Sequence, residues 1–257
     1  APRAPAPPAR PAAISPRVAA SALRVGTFQY AAARRDTALL DTLVNYTLKR
    51  HYPDRVGAEV PALALLEGVM DRQIELITEW MRVGFIHGVM NTDNVALSGE
   101  TIDYGPCAFM DQYHPETVFS SIDQRGRYAY GNQPVITQWN LARFAETLRP
   151  RIDDDADRAV ETAEALIKSH TERYAQRWLV MMRGKLGLFG EEDGDAALAA
   201  DLLDWMARHD ADHTNTFRDL IGGATPPGEA FQNDEFADWH RRWQARLGRN
   251  GRADEDA

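Results

Sequence analysis

From Asp36 onward the apolar residues recur at helical intervals. Leu40, Val44, Thr47 and His51 fall on one face, and Tyr52-Pro53 stops that helix. After Pro61, the positions Leu63, Leu66, Met70, Ile74, Ile77 and Met81 follow at spacings of three and four, up to Gly84. Proline just inside the start and glycine just past the end are well-placed helix punctuation. Upstream, Ile14–Tyr30 carries Val18, Leu23, Val25 and Phe28 among small residues and is expected to be extended, closed by Gly26.

The period changes after Gly84. Asn94 to Gly105 reads NVALSGETIDYG, two short apolar runs around Ser98-Gly99-Glu100, which predicts a small β-hairpin. Residues 106–133 have no period and contain Pro, Gly and Asn, so a long loop is expected. Its aromatics (Phe109, Tyr113, Phe119, Tyr128, Tyr130) argue that it is packed. Helices are then expected at about 134–149, 155–183, 195–208, 210–221 and 230–247, with Trp205, Trp239 and Trp243 on core-facing stripes. The body is therefore mainly α with one small hairpin.

Composition narrows the choice of partners. The 257 residues hold 29 Lys+Arg against 38 Asp+Glu, a net charge of −9. All six charges among residues 1–35 are arginines, which leaves a net of −15 for the remainder. A body this acidic repels a phosphate backbone, so no nucleic-acid partner is expected. No apolar run reaches the roughly 18–20 residues of a membrane span. Cys107 is the only cysteine, which excludes an intramolecular disulfide and a Cys-rich zinc site. Residues 1–13, APRAPAPPARPAA, have no apolar segment of a secretory signal and read as a disordered Pro/Ala tail, as do the polar residues 249–257. The expected location is a bacterial cytoplasm.

The chemistry concentrates between His87 and Gly105, HGVMNTDNVALSGETIDYG. A helix ends, a tight polar loop follows, and the segment closes on Asp-Tyr-Gly. Protein kinases have the same order: a catalytic loop ending in Asn, a hairpin, then an Asp-aromatic-Gly triplet, with the Asn and the Asp holding magnesium. Asn94 and Asp103 fall at those two positions and are hard oxygen donors. The kinase base lies five residues before the Asn, where this chain has Val89, which accepts no proton. An acid is present instead at Asp93. Asn-Thr-Asp-Asn alone would be ordinary turn chemistry; the joint pattern is specific.

HGVMNTDN, TIDYGP, FMDQYHPETVFSSID and GRYAYGNQPVITQWNLARFAETL, with RVAASALRVGTFQY upstream, resemble the selenoprotein O family over about residues 14–250. The resemblance implies a protein-kinase-like large (C-terminal) lobe over 14–248, with the hairpin carrying the metal site. It also implies transfer of AMP from ATP to Ser, Thr or Tyr hydroxyls of protein substrates, with Mg2+ or Mn2+. In that family the roles carry to Asp93 as proton acceptor, Asn94 and Asp103 as metal ligands, and Arg17, Arg24 and Asp103 as nucleotide contacts. Nothing in the chain matches the family's preceding small lobe, so the chain reads as a fragment. The alternative is a non-catalytic pseudokinase remnant that binds nucleotide or serves as a scaffold.

Other candidates are weaker. His209 and His213 are expected four apart on one helix face, a spacing that can grip zinc, but the motif offers no third ligand. His87 is expected to order its loop by bonding backbone. Arg125 to Tyr130 mixes arginines and aromatics and is expected to pack as a loop beside the site; Cys107 is expected to be a small packed residue.

Phosphate positioning supplies much of the catalysis in such sites. The 257 residues alone are therefore expected to show little or no activity. Robust incorporation of AMP into a protein by this chain, measured with adenine-labelled ATP, would contradict that.

Overall fold

The computed structural model describes residues 18–223, 225, 226 and 228–250. Arg17 and the expected tail 1–13 lie outside the described residues, as does the expected tail from 251 on. Arg249 and Asn250 are described and anchored: Arg249 pairs with Glu192 at 2.7 Å, and Asn250 donates to the Gly187 carbonyl at 2.8 Å.

The first helix, α1 (Val25–Ala33), begins inside the stretch expected to be extended. Val25, Phe28 and Ala31 recur every third residue and are fully buried, with the Phe28 ring edge-on to Phe144 at 5.0 Å. Burial of that face decides the conformation; among the described residues of the stretch, 18–24 stay non-helical. Helix α2 (Thr37–His51) is capped by Asp36, whose carboxylate accepts the Leu39 N–H at 2.9 Å, and buries Leu40, Val44, Thr47 and His51 as the spacing requires. Helix α3 (Pro61–Val83) starts on its proline and ends at Gly84, whose φ of 71° is the left-handed cap.

Strands β1 (Phe85–Ile86) and β2 (Ala108–Phe109) pair antiparallel, Phe85 opposite Phe109 and Ile86 opposite Ala108. They bracket the segment where a hairpin was expected, and residues 94–105 do not form one. The reason is competition for backbone. The Val25 N–H donates to the Val95 carbonyl at 3.1 Å, and the Leu97 N–H donates to the Leu23 carbonyl at 2.9 Å. Residues 95–97 thus pair with the run into α1 through an isolated Arg24–Ala96 bridge.

Helix α4 (Gln133–Leu148) follows the long loop, and α5 (Ala156–Leu186) runs 31 residues from an Asp155 cap to Gly187. Helices α6 (Asp195–Arg208), α7 (His213–Asp219) and α8 (Asp234–Leu247) complete the described fold. The pairing of His209 and His213 on one helix does not occur: His209 ends α6, Asp210 turns the chain at φ 50°, and His213 opens α7.

Two apolar cores share α3. Its first half, from Ala62 to Ile74, packs with α1, α2, α4 and the start of α5. Its second half, from Ile77 to Met81, packs with β1, the end of α5, α6 and α8. The tryptophans sit in the second core, where Trp239 and Trp243 stack at 5.7 Å and donate to the carbonyls of Leu198 and Leu186.

That second core encloses a charge cluster. The Asp195 carboxylate accepts from Arg246 Nε at 2.7 Å, Arg183 Nε at 2.8 Å and the Glu192 N–H at 3.0 Å. Burial works to raise the Asp195 pKa, but Arg246, the Glu192 N–H and Arg183 outweigh it and hold the carboxyl below its ordinary value. Such a group contributes stability above the unfolded carboxyl value of about pH 4 and loses it as the pH falls through the folded value. Asp195→Ala is expected to cost about 3–5 kcal/mol in urea unfolding, because Arg246 stays buried without its closest anion. Asp195→Asn should also flatten the decline in stability below about pH 4. A wild-type-like acid limb in that variant would refute the assignment.

Candidate functional site

The site is built where α3 ends between the two cores. After β1 the chain enters His87, buried and stacked on Trp80 with ring centroids 5.3 Å apart. The Val89 N–H donates to Nδ1 at 3.3 Å, which leaves Nε2 to donate to the Ile102 carbonyl at 2.7 Å. Burial keeps the His87 pKa below its ordinary value, so the ring is the neutral Nε2–H tautomer that this network needs. His87 thus orders its loop through backbone and ties residue 102 to residues 87–89. Gly88, at φ 84°, lies so close to Pro106 that an added Cβ would stand 3.0 Å from the Pro106 carbonyl oxygen.

Helix α4 clamps the loop from the other side. Gln133 accepts the His87 N–H at 3.0 Å and donates to the Phe85 carbonyl at 3.0 Å. One helix face further on, Asn140 donates to the Met90 carbonyl at 2.9 Å. Both side chains are fully buried. Sequence reasoning assigned them no role. The available signal was a pair of amides seven residues apart, two helical turns, on the face that also carries Ile136, Leu141 and Phe144.

Thr92–Asn94 forms a 3-10 turn capped by Asn91, whose Oδ1 accepts the Asp93 N–H at 3.1 Å. The Asn94 amide donates through Nδ2 to the Val89 carbonyl at 2.9 Å. That bond fixes which way the amide points and leaves Oδ1 as the acceptor face. Val89 serves here through its backbone alone. Asp93 is exposed and pairs with no cation among the described residues. Its carboxylate lies against Gly26 in the first turn of α1; a Cβ built there would stand 1.9 Å from Asp93 Oδ1. Gly26, expected to close an extended run, instead admits the carboxylate.

Asp103 follows the carbonyl that His87 holds. Its backbone is left-handed at φ 55°, and its side chain is exposed with no ion-pair partner among the described residues. It lines an open cleft of about 1150 Å³ with Arg24, Arg50, Glu100 and Tyr104. The Arg24 guanidinium also lacks a carboxylate partner there. Arg50 donates through Nε to the Ala20 carbonyl at 2.9 Å, and Glu100 accepts the Ala20 N–H at 2.9 Å, so residues 18–22 are strapped along the cleft. Arg50 was not singled out from sequence because it lies outside the motif, and Glu100 was read only as part of the expected turn Ser98-Gly99-Glu100.

The structure therefore brings Arg24 and Asp103 to one cleft, and sets Asp93 against the helix turn that begins beside Arg24. Asn94 is tied to the same residues 87–89 that hold residue 102. Asp93 and Asn94 are not among the cleft's lining residues, and Arg17 is outside the described residues. No cluster of three or more His, Cys, Asp and Glu is gathered for a metal among the described residues. The donor set nonetheless fits a magnesium-type ion, which takes one or two protein oxygens plus phosphates and waters: an oriented amide oxygen at Asn94 and an unpaired carboxylate at Asp103. No described helix is long and apolar enough to cross a membrane. In the Arg125–Tyr130 stretch, Arg127 lies over Trp139 at 4.6 Å and Tyr130 is buried.

Comparison with known proteins gives a family. The model of the family described as "Protein adenylyltransferase SelO" matches residues 1–250. A protein from Alcanivorax borkumensis named "Protein nucleotidyltransferase YdiU" is 63% identical over 94% of this chain and 50% of its own length. Proteins of the same name from Nitrosococcus oceani and Halalkalibacterium halodurans are 57% and 56% identical, over 93% and 96% of this chain. The chain spans about half the length of these curated relatives.

Gly26→Ala tests the carboxylate's seat. Alanine is the better helix former by about 0.5–1 kcal/mol, so a purely structural role predicts unchanged or higher stability. The expected result is stability within about 1 kcal/mol of wild type in urea, with the Asp93 side chain displaced in a crystal structure of the variant. An undisturbed Asp93 would refute the contact.

Proposed function

The chain belongs to the protein adenylyltransferase SelO family, and from that premise we propose that it carries the acceptor-activating and metal-binding part of a protein adenylyltransferase. The substrates in this reading are ATP and a protein hydroxyl of Ser, Thr or Tyr. The reaction joins the hydroxyl oxygen to the α-phosphorus and releases pyrophosphate. The observation that supports it best is the position of the acid. Val89 uses only its backbone, so the loop offers no kinase-type base there, while Asp93 presents an exposed, unpaired carboxylate beside Asn94.

In this mechanism Asp93 orients the incoming hydroxyl and accepts its proton. Its seat against Gly26 and the Asn91 cap on its N–H hold the carboxylate in place before the acceptor arrives. Arg24, free of any carboxylate among the described residues, pairs with phosphate oxygens along the cleft. Asn94 and Asp103 hold a divalent cation, Mg2+ or Mn2+. Bound there, the ion would neutralise charge on the phosphate oxygens. His87 keeps residues 102–103 and 87–89 in one register, so the two ligands keep their spacing. The site works in a kinase-like large lobe, with Arg17 as a second nucleotide contact.

Two measurements test this reading. ATP binding followed by calorimetry should require Mg2+ or Mn2+ in wild type, and Asp103→Ala should abolish that metal dependence. With the chain extended to the length of its full-length relatives, Asp93→Ala should keep metal-dependent binding and lose transfer of the adenine label by about a hundredfold or more. Transfer of a γ-phosphate label instead would make the protein a phosphotransferase and overturn the reading. Metal-dependent ATP binding without transfer of either label in that full-length protein would favour the nucleotide-binding scaffold.

A further inference from the structure

Far from the cleft, Lys185 near the end of α5 sits against α3 and α7 in an unusual setting for a lysine. Its Nζ donates to the Arg82 carbonyl at 2.6 Å and lies 3.6 Å from the centre of the Phe217 ring. No carboxylate among the described residues pairs with it. The charged group that acts on it is Arg82 on α3; on α7, Arg218 lines the same cavity and is already paired with Asp219, and His213 is neutral because burial lowers its pKa to about 3. Asp212 acts on His213 but not on the amine. His213 is buried beneath Gly84, and its Nδ1 has no hydrogen-bond partner.

The Lys185 side chain is only partly buried. Lys185 lines an open cavity of about 710 Å³ walled by Phe217, Leu220, Trp243 and Leu247. Lysine is normally buried only with a counter-ion, because the ammonium loses its hydration. Here the carbonyl and the ring replace part of that hydration, and Arg82 adds repulsion. Burial and Arg82 lower the Lys185 pKa from its ordinary value to about 7.

We propose that Lys185 is a reactive amine and a site of N-acylation, taking small apolar acyl groups from activated donors such as acyl phosphates. The balance is simple. The Nζ lone pair attacks the acyl carbon and the C–N bond forms. The C–O bond to phosphate breaks, phosphate leaves, and the nitrogen's proton passes to water. The apolar walls receive the acyl group. The resulting amide can no longer be protonated, so the side chain loses its ammonium form between the ends of α3 and α5.

The chain supplies its own controls, because its only other lysines are Lys49 and Lys168, both exposed. The folded chain is incubated with limiting acetyl phosphate, and acetylation at the three lysines is quantified by peptide mass spectrometry from pH 6 to 9. At pH 7.5 Lys185 should react about tenfold faster than either surface lysine, since an ordinary amine is almost wholly protonated there. Its rate should level off above about pH 8, while those of Lys49 and Lys168 keep rising. In denaturing urea the three should react alike, which assigns the preference to the fold. Lys185→Arg should lose the fast acetylation and leave the other two unchanged. Equal or slower reaction at Lys185 in the folded chain, or three parallel pH profiles, would overturn the proposal.

Discussion

The site depends on a neutral imidazole held between two pieces of backbone. His87 accepts the Val89 N–H on one nitrogen and donates to the Ile102 carbonyl on the other, and its ring stacks on Trp80. A residue lacking either nitrogen would leave a partly buried peptide group without its partner, at about 1 kcal/mol. The ring also removes the need for a continuous sheet. Residues 94–105 are not laddered to one another, yet their far end returns to the loop through this one side chain. Protonation of His87 would turn Nδ1 from acceptor to donor and set it against the Val89 N–H. Burial, which keeps the ring neutral, is therefore part of the same device.

The scaffold around that device is a division of labour along α3. One end of the helix belongs to the core of α1, α2 and α4, and the other to the core of α6 and α8. The loop emerges at its C-terminal end. The α4 amides Gln133 and Asn140 reach back to hold β1 and Met90. The helices thus place the loop, and the polar side chains between them fix its path. An ion-pair ring braces the opposite side, where Arg55 and Arg173 each bind both Glu67 and Asp71 at 2.8–3.0 Å.

What could be read from sequence follows from where each signal is stored. The helices after Asp36 were legible because a 3.6-residue period is local, and Leu40, Val44, Ile74 and Ile77 all point inward as their spacing requires. Alternation around Ser98-Gly99 suggested a hairpin, but pairing is a long-range property. The strand partner of residues 95–97 turned out to lie about 70 residues upstream at 23–25. Gly26 was misread for a related reason. Its requirement comes from Asp93, 67 residues on, and no local pattern carries that information. The paired histidines failed because Asp210 breaks the helix that their spacing assumed. Within the site, the types and order of Asp93, Asn94 and Asp103 were legible, while the side chains that support them, Gln133, Asn140 and Arg50, were not.

Backbone strain adds an independent argument about Asp103. Among the described residues three non-glycine positions have clearly positive φ: Arg35, Asp103 and Asp210. Two have a structural cause. Arg35 lies just past the end of α1 and Asp210 just past α6, where a left-handed residue terminates a helix. Asp103 follows no helix. It is held between the carbonyl fixed by His87 and a glycine two residues on, whose Cβ, if present, would stand 3.7 Å from its carboxylate. The conformation costs about 1 kcal/mol or more and gains no cap and no ion pair among the described residues in return. What it does achieve is to turn an unpaired carboxylate into the cleft that also holds the unpaired Arg24. A positive-φ residue that ends no helix and presents a carboxylate to the cleft that Arg24 also lines supports the proposed ligand site, in which the partners of both groups would come from the nucleotide and its metal.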